Sequence, residues 1–281
     1  MRNLDIPFVK AKVKAELALL GTHIDPKVEQ AIKQALITET SDIAKDILST
    51  LLENYAISRN ENLPICQDTG TVVFIIEIGE GLCITGGSLT DSINDAVREV
   101  WQEQYFRASI VKDPLFDRTN TQNNTPAIIH TELVKGDKLT IKIALKGGGA
   151  ENMSALKMLK PSDGKEGIKN FILDTIIKAG GNPCPPIMVG IGIGGNFETC
   201  ALLAKKALLR DFGTPNPDKQ WAGFESELLQ TINETGIGPQ GMGGKTTALA
   251  VQVETAPCHI ASLPVAINLN CHAHRHTIVT F

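Results

Sequence analysis

The sequence lacks the features that mark membrane proteins, nucleic-acid-binding proteins and secreted disulfide scaffolds. None of its apolar runs approaches the roughly 18 residues of a membrane-spanning helix. Its opening stretch, MRNLDIPFVKAKVKAELALLG, has no continuous apolar segment followed by a cleavage site. A formal net charge of -4 provides no basic field for nucleic acid or an anionic membrane. We therefore expect a cytoplasmic globular protein with neither of these partners.

The sequence also lacks a C-x-x-C pair, although it contains six cysteines. In a reducing compartment, cysteines are more typical of free thiols, metal ligands or catalytic groups than of disulfides. Cys83 and Cys200 lie in apolar segments, which favours a packing role for both. Cys184 lies in Asn-Pro-Cys-Pro-Pro, at residues 182 to 186, and a cysteine beside proline is typical of iron–sulfur loops. We interpret Cys184 as a candidate metal ligand.

Apolar periodicity predicts a mixed α/β (α+β) fold with a helical segment over about residues 1–60, and the length suits one large domain or two lobes. The segments AIIHTELV and KLTIKIAL flank Gly136-Asp137, which predicts an antiparallel hairpin and argues against a purely parallel sheet. The other predicted strands are residues 71–78, IMVGIGI, TALAVQVE and PVAINLN, and the other predicted helices are residues 88–106, 165–178, 196–210 and 220–234.

Two of the glycine clusters resemble nucleotide-binding motifs. Gly190, Gly192 and Gly195 match G-x-G-x-x-G after a strand, which leaves an NAD-dependent oxidoreductase open. No acidic residue closes a second strand about 20 residues later, so a tight turn that suits an anion is the better interpretation. Residues 244–246 resemble the end of a P-loop, but Pro239 stands where that motif requires glycine. We therefore expect no nucleoside triphosphatase.

The loop Pro-Ile-Cys-Gln-Asp-Thr-Gly, at residues 64 to 70, has the strongest signature of a site. Cys66 can supply a thiolate to a metal, and Gln67 can donate hydrogen bonds to an anionic substrate. Asp68 can move a proton or hold a ligand. The alternative is a turn closed by glycine, with a buried thiol that has no chemical role.

The C-terminal region concentrates titratable and soft side chains. His259 is a candidate acid or base because histidine titrates near neutral pH, although a structural histidine accounts for it as well. His272, His274 and His276 alternate, so on a strand they would share one face. That pattern leaves open a zinc-binding assembly subunit, whereas a solvated C-terminal strand explains it equally.

Taken together, the motifs resemble those of one enzyme family. They are PICQDTG at 64 to 70, KGGGAEN at 146 to 152, NPCPP at 182 to 186, GIGPQGMGGKTT at 236 to 247, and His259 twelve residues before Cys271. The sequence resembles the iron–sulfur-dependent class I fumarases and the related tartrate dehydratases, in their α subunit or N-terminal catalytic half. The resemblance spans essentially the whole chain, so residues 1–281 would form one hydro-lyase domain of the α type.

The resemblance implies a [4Fe–4S] cluster whose open iron binds a C4 dicarboxylic acid. The implied cluster ligands are Cys66, Cys184 and Cys271. Asp68 and His259 would be catalytic, with His259 hydrogen-bonded near the hydroxyl that leaves or enters. The implied substrate contacts are Gln67, Asp68, Arg107, Gly147, Gly148, Gly149 and His259.

The resemblance also implies a reaction and a partner. The expected reaction is the reversible hydration of fumarate to (S)-malate, and the alternative is dehydration of L(+)-tartrate. In this family the base and several carboxylate-binding residues lie in the C-terminal half, whereas this sequence ends soon after Cys271. We therefore expect a separate β subunit that carries those residues, in an α2β2-type or other oligomer.

Overall fold

The computed structural model describes residues 2–281 and confirms a mixed α/β fold. The chain forms two compact units. Unit 1 comprises the residues up to Ile24, Tyr55–Gly148 and Arg275–Phe281, and unit 2 comprises Asp25–Asn54 and Gly149–His274. No helix in the described range is both long and apolar enough to cross a membrane.

Unit 1 is built around a four-stranded mixed sheet in the order β10–β5–β2–β4, and β1 pairs with β3 in a separate parallel ribbon. Its apolar core joins residues of α1 and α4 to residues of β2 and β5. Strands and helices are numbered in chain order. Those of unit 1 are β1 (Arg2–Asp5), α1 (Ile6–Thr22), β2 (Thr71–Gly79), β3 (Leu82–Thr85), α4 (Leu89–Glu103), β4 (Ile128–Val134), β5 (Leu139–Lys146) and β10 (Arg275–Thr280).

Unit 2 has its own core and a second four-stranded sheet, in the order β6–β9–β7–β8. Its elements are α2 (Pro26–Thr38), β6 (Ala155–Leu159), α6 (Gly164–Ala179), β7 (Ile187–Gly195), α7 (Phe197–Leu208), α8 (Lys219–Asn233), β8 (Ala248–Cys258) and β9 (Leu263–Asn270). Two helices contain residues of both units, namely α3 (Asp42–Glu61) and the short α5 (Gly148–Glu151).

The helices agree with the sequence predictions, because their apolar spacing and their capping residues point to the same boundaries. On α4, Ile93, Val97 and Val100 are buried, and the Ser88 side chain accepts a hydrogen bond from the first turn. Asp218 caps α8 in the same way. The helical N-terminal segment is also confirmed, as α1, α2 and α3.

The predicted hairpin is wrong in its pairing, although both of its strands exist. Strand β2 lies between them: Val73 pairs in parallel with Ile128 of β4 and antiparallel with Ala144 of β5. The cause is burial, since β2 has a run of five fully buried residues and suits a central position, whereas β4 is partly exposed along its length and suits an edge. This order pairs Thr71 with Lys146 and so brings the ends of two motif-bearing loops together.

The G-x-G-x-x-G match has a packing explanation in unit 2. Gly190 and Gly192 lie within β7 rather than in the turn after it, and α7 crosses directly over them. A Cβ atom on Gly192 would lie 2.1 Å from the carbonyl oxygen of Cys200 and 2.5 Å from the backbone nitrogen of Ala204. These glycines therefore permit close contact between a helix and a strand.

We predict that Gly192→Val destabilises the chain by about 2–4 kcal/mol, because the added side chain must push α7 away from β7. Urea unfolding followed by circular dichroism would measure the change. Gly223→Ala is the matched control, since Gly223 lies within α8 and an added Cβ meets no atom within 4 Å. It should be neutral or stabilising by up to about 1 kcal/mol. Equal destabilisation by both variants would contradict the packing explanation.

Candidate functional site

In unit 1, the side chain of Asp68 joins two of the sequence motifs. Its Oδ1 accepts a hydrogen bond from Gly70 N at 2.9 Å, and its Oδ2 accepts one from Gly148 N at 2.7 Å. The second contact links PICQDTG to KGGGAEN across 80 residues of sequence. Two backbone donors thus fix the orientation of the carboxylate.

Arg107 is brought to the same loop through its backbone. Its carbonyl oxygen accepts hydrogen bonds from Thr69 Oγ1 at 2.8 Å and from Trp101 Nε1 at 3.2 Å, while its side chain is exposed. Asn124 is fully buried and also supports the loop, donating to the carbonyl oxygen of Gly70 at 3.0 Å. Sequence reasoning missed Trp101 and Asn124, because their partners are set by tertiary folding.

The remaining predicted residues of the first loop are accessible. Gln67 is exposed, and Cys66 is half-buried with a free thiol. The loop is anchored just before them, where Ile65 N donates to the carbonyl oxygen of Gly21 at 2.9 Å. Unit 1 therefore brings together Cys66, Gln67, Asp68, Arg107, Gly147 and Gly148.

In unit 2, the loops of Cys184 and Cys271 are hydrogen-bonded to each other. His272 N donates to the carbonyl oxygen of Cys184 at 3.3 Å. Gln240, from the third glycine cluster (GIGPQGMGGKTT, residues 236 to 247), donates through both its backbone N and its Nε2 to Pro185 O, each at 2.8 Å. Cys184 itself has a left-handed backbone with φ of 56°, which is costly for a residue with a side chain and is frequent at functional sites.

Gly149 belongs to unit 2, whereas the two glycines that precede it in the sequence belong to unit 1. A Cβ atom on Gly149 would lie 3.4 Å from the carbonyl oxygen of Asn182. The last glycine of this turn therefore lies beside the NPCPP loop of the same unit. Within unit 2, the NPCPP loop therefore contacts three other segments. They are Gly149 of the GGG turn, the third glycine cluster and the Cys271 loop.

His259 lies in the exposed turn between β8 and β9. Its Nδ1 accepts a hydrogen bond from Ala261 N at 3.1 Å, so a neutral imidazole carries its proton on Nε2. His259 also contributes to a groove of about 610 Å³ whose other walls include Trp221 and Phe224. In this tautomer, the ring is a hydrogen-bond donor toward its surroundings.

The C-terminal histidines do not share a strand face, so that prediction is wrong. Strand β10 begins at Arg275, which leaves only His276 in a strand. His274 is buried, and its Nδ1 lies 2.7 Å from Asn270 Nδ2. Within residues 2–281, no three His, Cys, Asp or Glu side chains form a group that could hold a metal ion.

None of the six cysteines forms a disulfide, and their surroundings differ. Cys200 is fully buried in α7, and burial raises the pKa of its thiol, as expected for a packing residue. Cys83 lies in β3. Cys184 is exposed and Cys271 is half-buried, so these two are accessible to a ligand in the way that Cys200 is not.

The third glycine cluster already contains a carboxylate from the chain itself. Glu39, which is buried in unit 2, accepts hydrogen bonds from Lys245 N at 2.8 Å, Thr40 N at 2.7 Å and Ser41 N at 3.1 Å. Burial acts to raise the pKa of Glu39, but these three N–H groups outweigh it and hold that pKa below its ordinary value. The Lys245 ammonium donates to the carbonyl oxygen of Thr38. The loop at residues 236 to 247 therefore binds a carboxylate of the chain itself.

We predict that Glu39→Gln lowers the unfolding free energy by about 1–3 kcal/mol at neutral pH, because charge-assisted hydrogen bonds weaken. The folded-state pKa is lowered, so this stability is present above about pH 4.5 and is lost as the pH falls through the folded-state pKa. Urea unfolding between pH 7 and pH 3 should show a smaller loss for Glu39→Gln than for the wild type. Exposed Glu166→Gln is the control, and an identical pH dependence of Glu39→Gln and wild type would contradict the assignment.

Comparison with known proteins identifies the family of this chain. A family model described as Fumarate hydratase (Fumerase) matches residues 10–280. The chain belongs to this fumarate hydratase family. A Methanocaldococcus jannaschii protein provisionally named L(+)-tartrate dehydratase subunit alpha is 44% identical over 261 residues, which cover 91% of each chain. The L(+)-tartrate dehydratase subunit alpha of Escherichia coli K12 is 34% identical over 262 residues, covering 92% of this chain and 86% of the relative.

Membership confirms the family resemblance and the enzyme class predicted from the motifs. The family is named for the addition of water to fumarate, which is a hydro-lyase reaction. The word subunit in the names of both relatives indicates that those proteins act with a partner. The fumarate hydratase match spans both compact units, including every candidate site residue described above.

Proposed function

We propose that this chain is the α subunit of an iron–sulfur hydro-lyase that reversibly hydrates fumarate to (S)-malate. The observation that carries the proposal is the hydrogen bond from Gly148 N to Asp68 Oδ2, which joins two motifs of the family in one unit. Arg107 is tied to the same loop through Thr69. An amide and a guanidinium beside a glycine turn can donate hydrogen bonds to a small dicarboxylate, and the Asp68 carboxylate between them can hold or move a proton.

The proposed ligands of a [4Fe–4S] cluster are Cys66, Cys184 and Cys271. Residues 2–281 show no assembled group of three metal ligands, so this assignment is carried by the family motifs that contain the three cysteines. None of the three cysteines forms a disulfide, none is fully buried, and two of them lie on loops that are hydrogen-bonded to each other in unit 2. Three thiolates suit a cluster with one iron left without a protein ligand. The cluster, when bound, would supply a Lewis acid for the hydroxyl of the substrate.

The chain's own groups would then bind and orient the substrate. Gln67 and Arg107 have exposed side chains that can donate hydrogen bonds to carboxylate oxygens. The glycines at 147 to 149 allow a ligand to approach the backbone closely. His259, with its proton on Nε2, would donate a hydrogen bond to the hydroxyl that enters or leaves, and Asp68 would hold or move a proton beside it.

Hydration also requires a proton to be added to carbon, and dehydration requires its removal. We assign the base for this proton, with further carboxylate-binding residues, to a separate β subunit in an α2β2-type or other oligomer. The subunit names of both relatives support a partner of this kind. A cytoplasmic location, suggested by the use of reduced cysteines, belongs to the same proposal.

The second candidate reaction is the dehydration of L(+)-tartrate. The names of the relatives at 44% and 34% identity favour it, whereas the family description favours fumarate. Both substrates are C4 dicarboxylates, so the residues assigned above would serve either reaction. Loop contacts to the second hydroxyl of tartrate would decide between the two.

Turnover by the complex of this chain with its β subunit tests the proposal. The complex would be purified without oxygen and assayed for fumarate hydration and for L(+)-tartrate dehydration under identical conditions. Faster turnover of fumarate is expected. Tartrate turnover with negligible fumarate hydration would favour the second candidate, and an iron-loaded, folded complex that converts neither substrate would contradict the proposed function.

A further inference from the structure

Arg275 is a buried, positively charged residue that contacts the loop containing Asp68. It is the first residue of β10, lies opposite Leu145 of β5 and is 1% exposed. Its Nη2 donates to the backbone carbonyl oxygen of Asp68 at 2.9 Å. Its Nε and Nη1 are buried and have no hydrogen-bond acceptor among residues 2–281.

A buried guanidinium normally has a carboxylate partner, because the loss of its hydration is costly. Asp68 does not serve as that partner, since its carboxylate accepts the N–H groups of Gly70 and Gly148 while Arg275 contacts its backbone. No other ion pair with Arg275 is present in the part of the chain that the structure describes. The Arg275 guanidinium therefore has no salt-bridge partner among residues 2–281.

This charge lies close to the turn that holds Asp68. A Cβ atom on Gly147 would lie 3.3 Å from Asp68 Oδ2 and 4.0 Å from Arg275 Nη2. Because residue 147 has no side chain, it places no further atoms near these two groups. An unpaired charge in a poorly hydrated interior acts over a longer distance than a solvated one, so it influences an anion without touching it.

We infer that Arg275 is a positioning residue that fixes the backbone of Asp68 and provides positive potential for a dianionic ligand at the Asp68–Gly148 turn. The inference rests on the proposed function, in which the substrates are C4 dicarboxylates. It explains why the chain keeps a buried cation without an acidic partner. Because no salt bridge holds the guanidinium, its charge remains available to a ligand carboxylate and offsets the repulsion that Asp68 would exert on a dianion.

The test combines ligand binding with stability in Arg275→Met, using the α/β complex and succinate as the probe. Calorimetric titration should show binding weakened by about 10- to 100-fold, and the KM for fumarate should rise by a similar factor. The unfolding midpoint should be unchanged or higher, because removal of an unpaired buried charge relieves a cost. Arg275→Lys, which keeps the charge, should lose less affinity than Arg275→Met.

A purely structural role predicts the opposite pattern. Arg275→Met that lowers the unfolding midpoint or fails to fold would overturn the inference, and so would succinate binding or a fumarate KM equal to that of the wild type. Arg98→Met is the control, since Arg98 lies on α4, is half-exposed and pairs with Asp95 at 2.6 Å. A wild-type complex that binds succinate but converts neither fumarate nor tartrate would contradict the proposed function alone.

Discussion

Asp68→Asn is expected to lower the kcat of the α/β complex by about 10²- to 10⁴-fold, the range typical for loss of a positioned acid–base group. The substitution keeps the shape of the side chain but removes its negative charge. An asparagine oxygen can still accept one backbone N–H, while its amide nitrogen would face the other donor. The variant therefore loses both a chemical group and one of the two hydrogen bonds that orient it.

Steady-state kinetics of fumarate hydration would measure this effect, together with the iron content and the unfolding midpoint of each preparation. Asp113→Asn is the matched control in unit 1, because the Asp113 carboxylate also accepts backbone N–H groups but lies in an exposed loop. The control should keep wild-type kcat. If Asp68→Asn holds its iron and turns over within about threefold of the wild type, Asp68 has no role in the chemistry.

The structural support for Asp68 depends on sheet order, which the sequence could not predict. Apolar periodicity predicted α4, α6 and α8 because each helix carries its own pattern of burial and capping. Strand pairing depends on which strands are available as neighbours. The buried strand β2 lies between β4 and β5, so these two strands cannot pair with each other as a hairpin. Local patterns therefore give the strands but not their neighbours.

The same distinction applies to the candidate site. Cys66, Asp68 and Cys184 stand out in the sequence because cysteine or aspartate among glycine and proline is locally unusual. Arg275 does not, since it lies in a run of alternating histidines that suggested a zinc site. Glu39 had no local signal either, because its partner Lys245 lies 206 residues away. The motifs point to the groups that we propose as ligand contacts. The residues that hold those groups in position lie in distant segments of the sequence and have no local signal.

The residues proposed for the chemistry are distributed over the two units. Unit 1 holds Asp68 with the side chains assigned to the substrate carboxylates, and unit 2 holds two of the three proposed cluster cysteines. The third, Cys66, lies two residues before Asp68 in the same loop. The loop at 64 to 70 therefore carries one proposed cluster ligand and one proposed catalytic group, so a change in its backbone would disturb both functions at once.

Replacement of Cys66, Cys184 or Cys271 by serine is expected to abolish stable binding of the cluster. This is the largest change in iron and sulfide content that the proposal predicts. The wild-type chain, purified without oxygen and reconstituted with ferrous iron and sulfide, should contain about four of each per protein. Each serine variant should lose most of both, because a hydroxyl is a poor ligand for iron in such clusters. Iron and sulfide analysis with the visible absorption spectrum would measure the loss.

Cys258→Ser is the matched control for Cys184→Ser, because both cysteines are exposed and neither forms a disulfide. It should keep the full iron content, whereas a general effect of removing accessible thiols would lower it as well. The α/β complex should be analysed beside the isolated chain, since the partner could contribute to retention of the cluster. A folded wild-type complex without iron or sulfide, or three serine variants with wild-type content, would contradict the assignment of these cysteines and with it the Lewis-acid chemistry proposed for this enzyme.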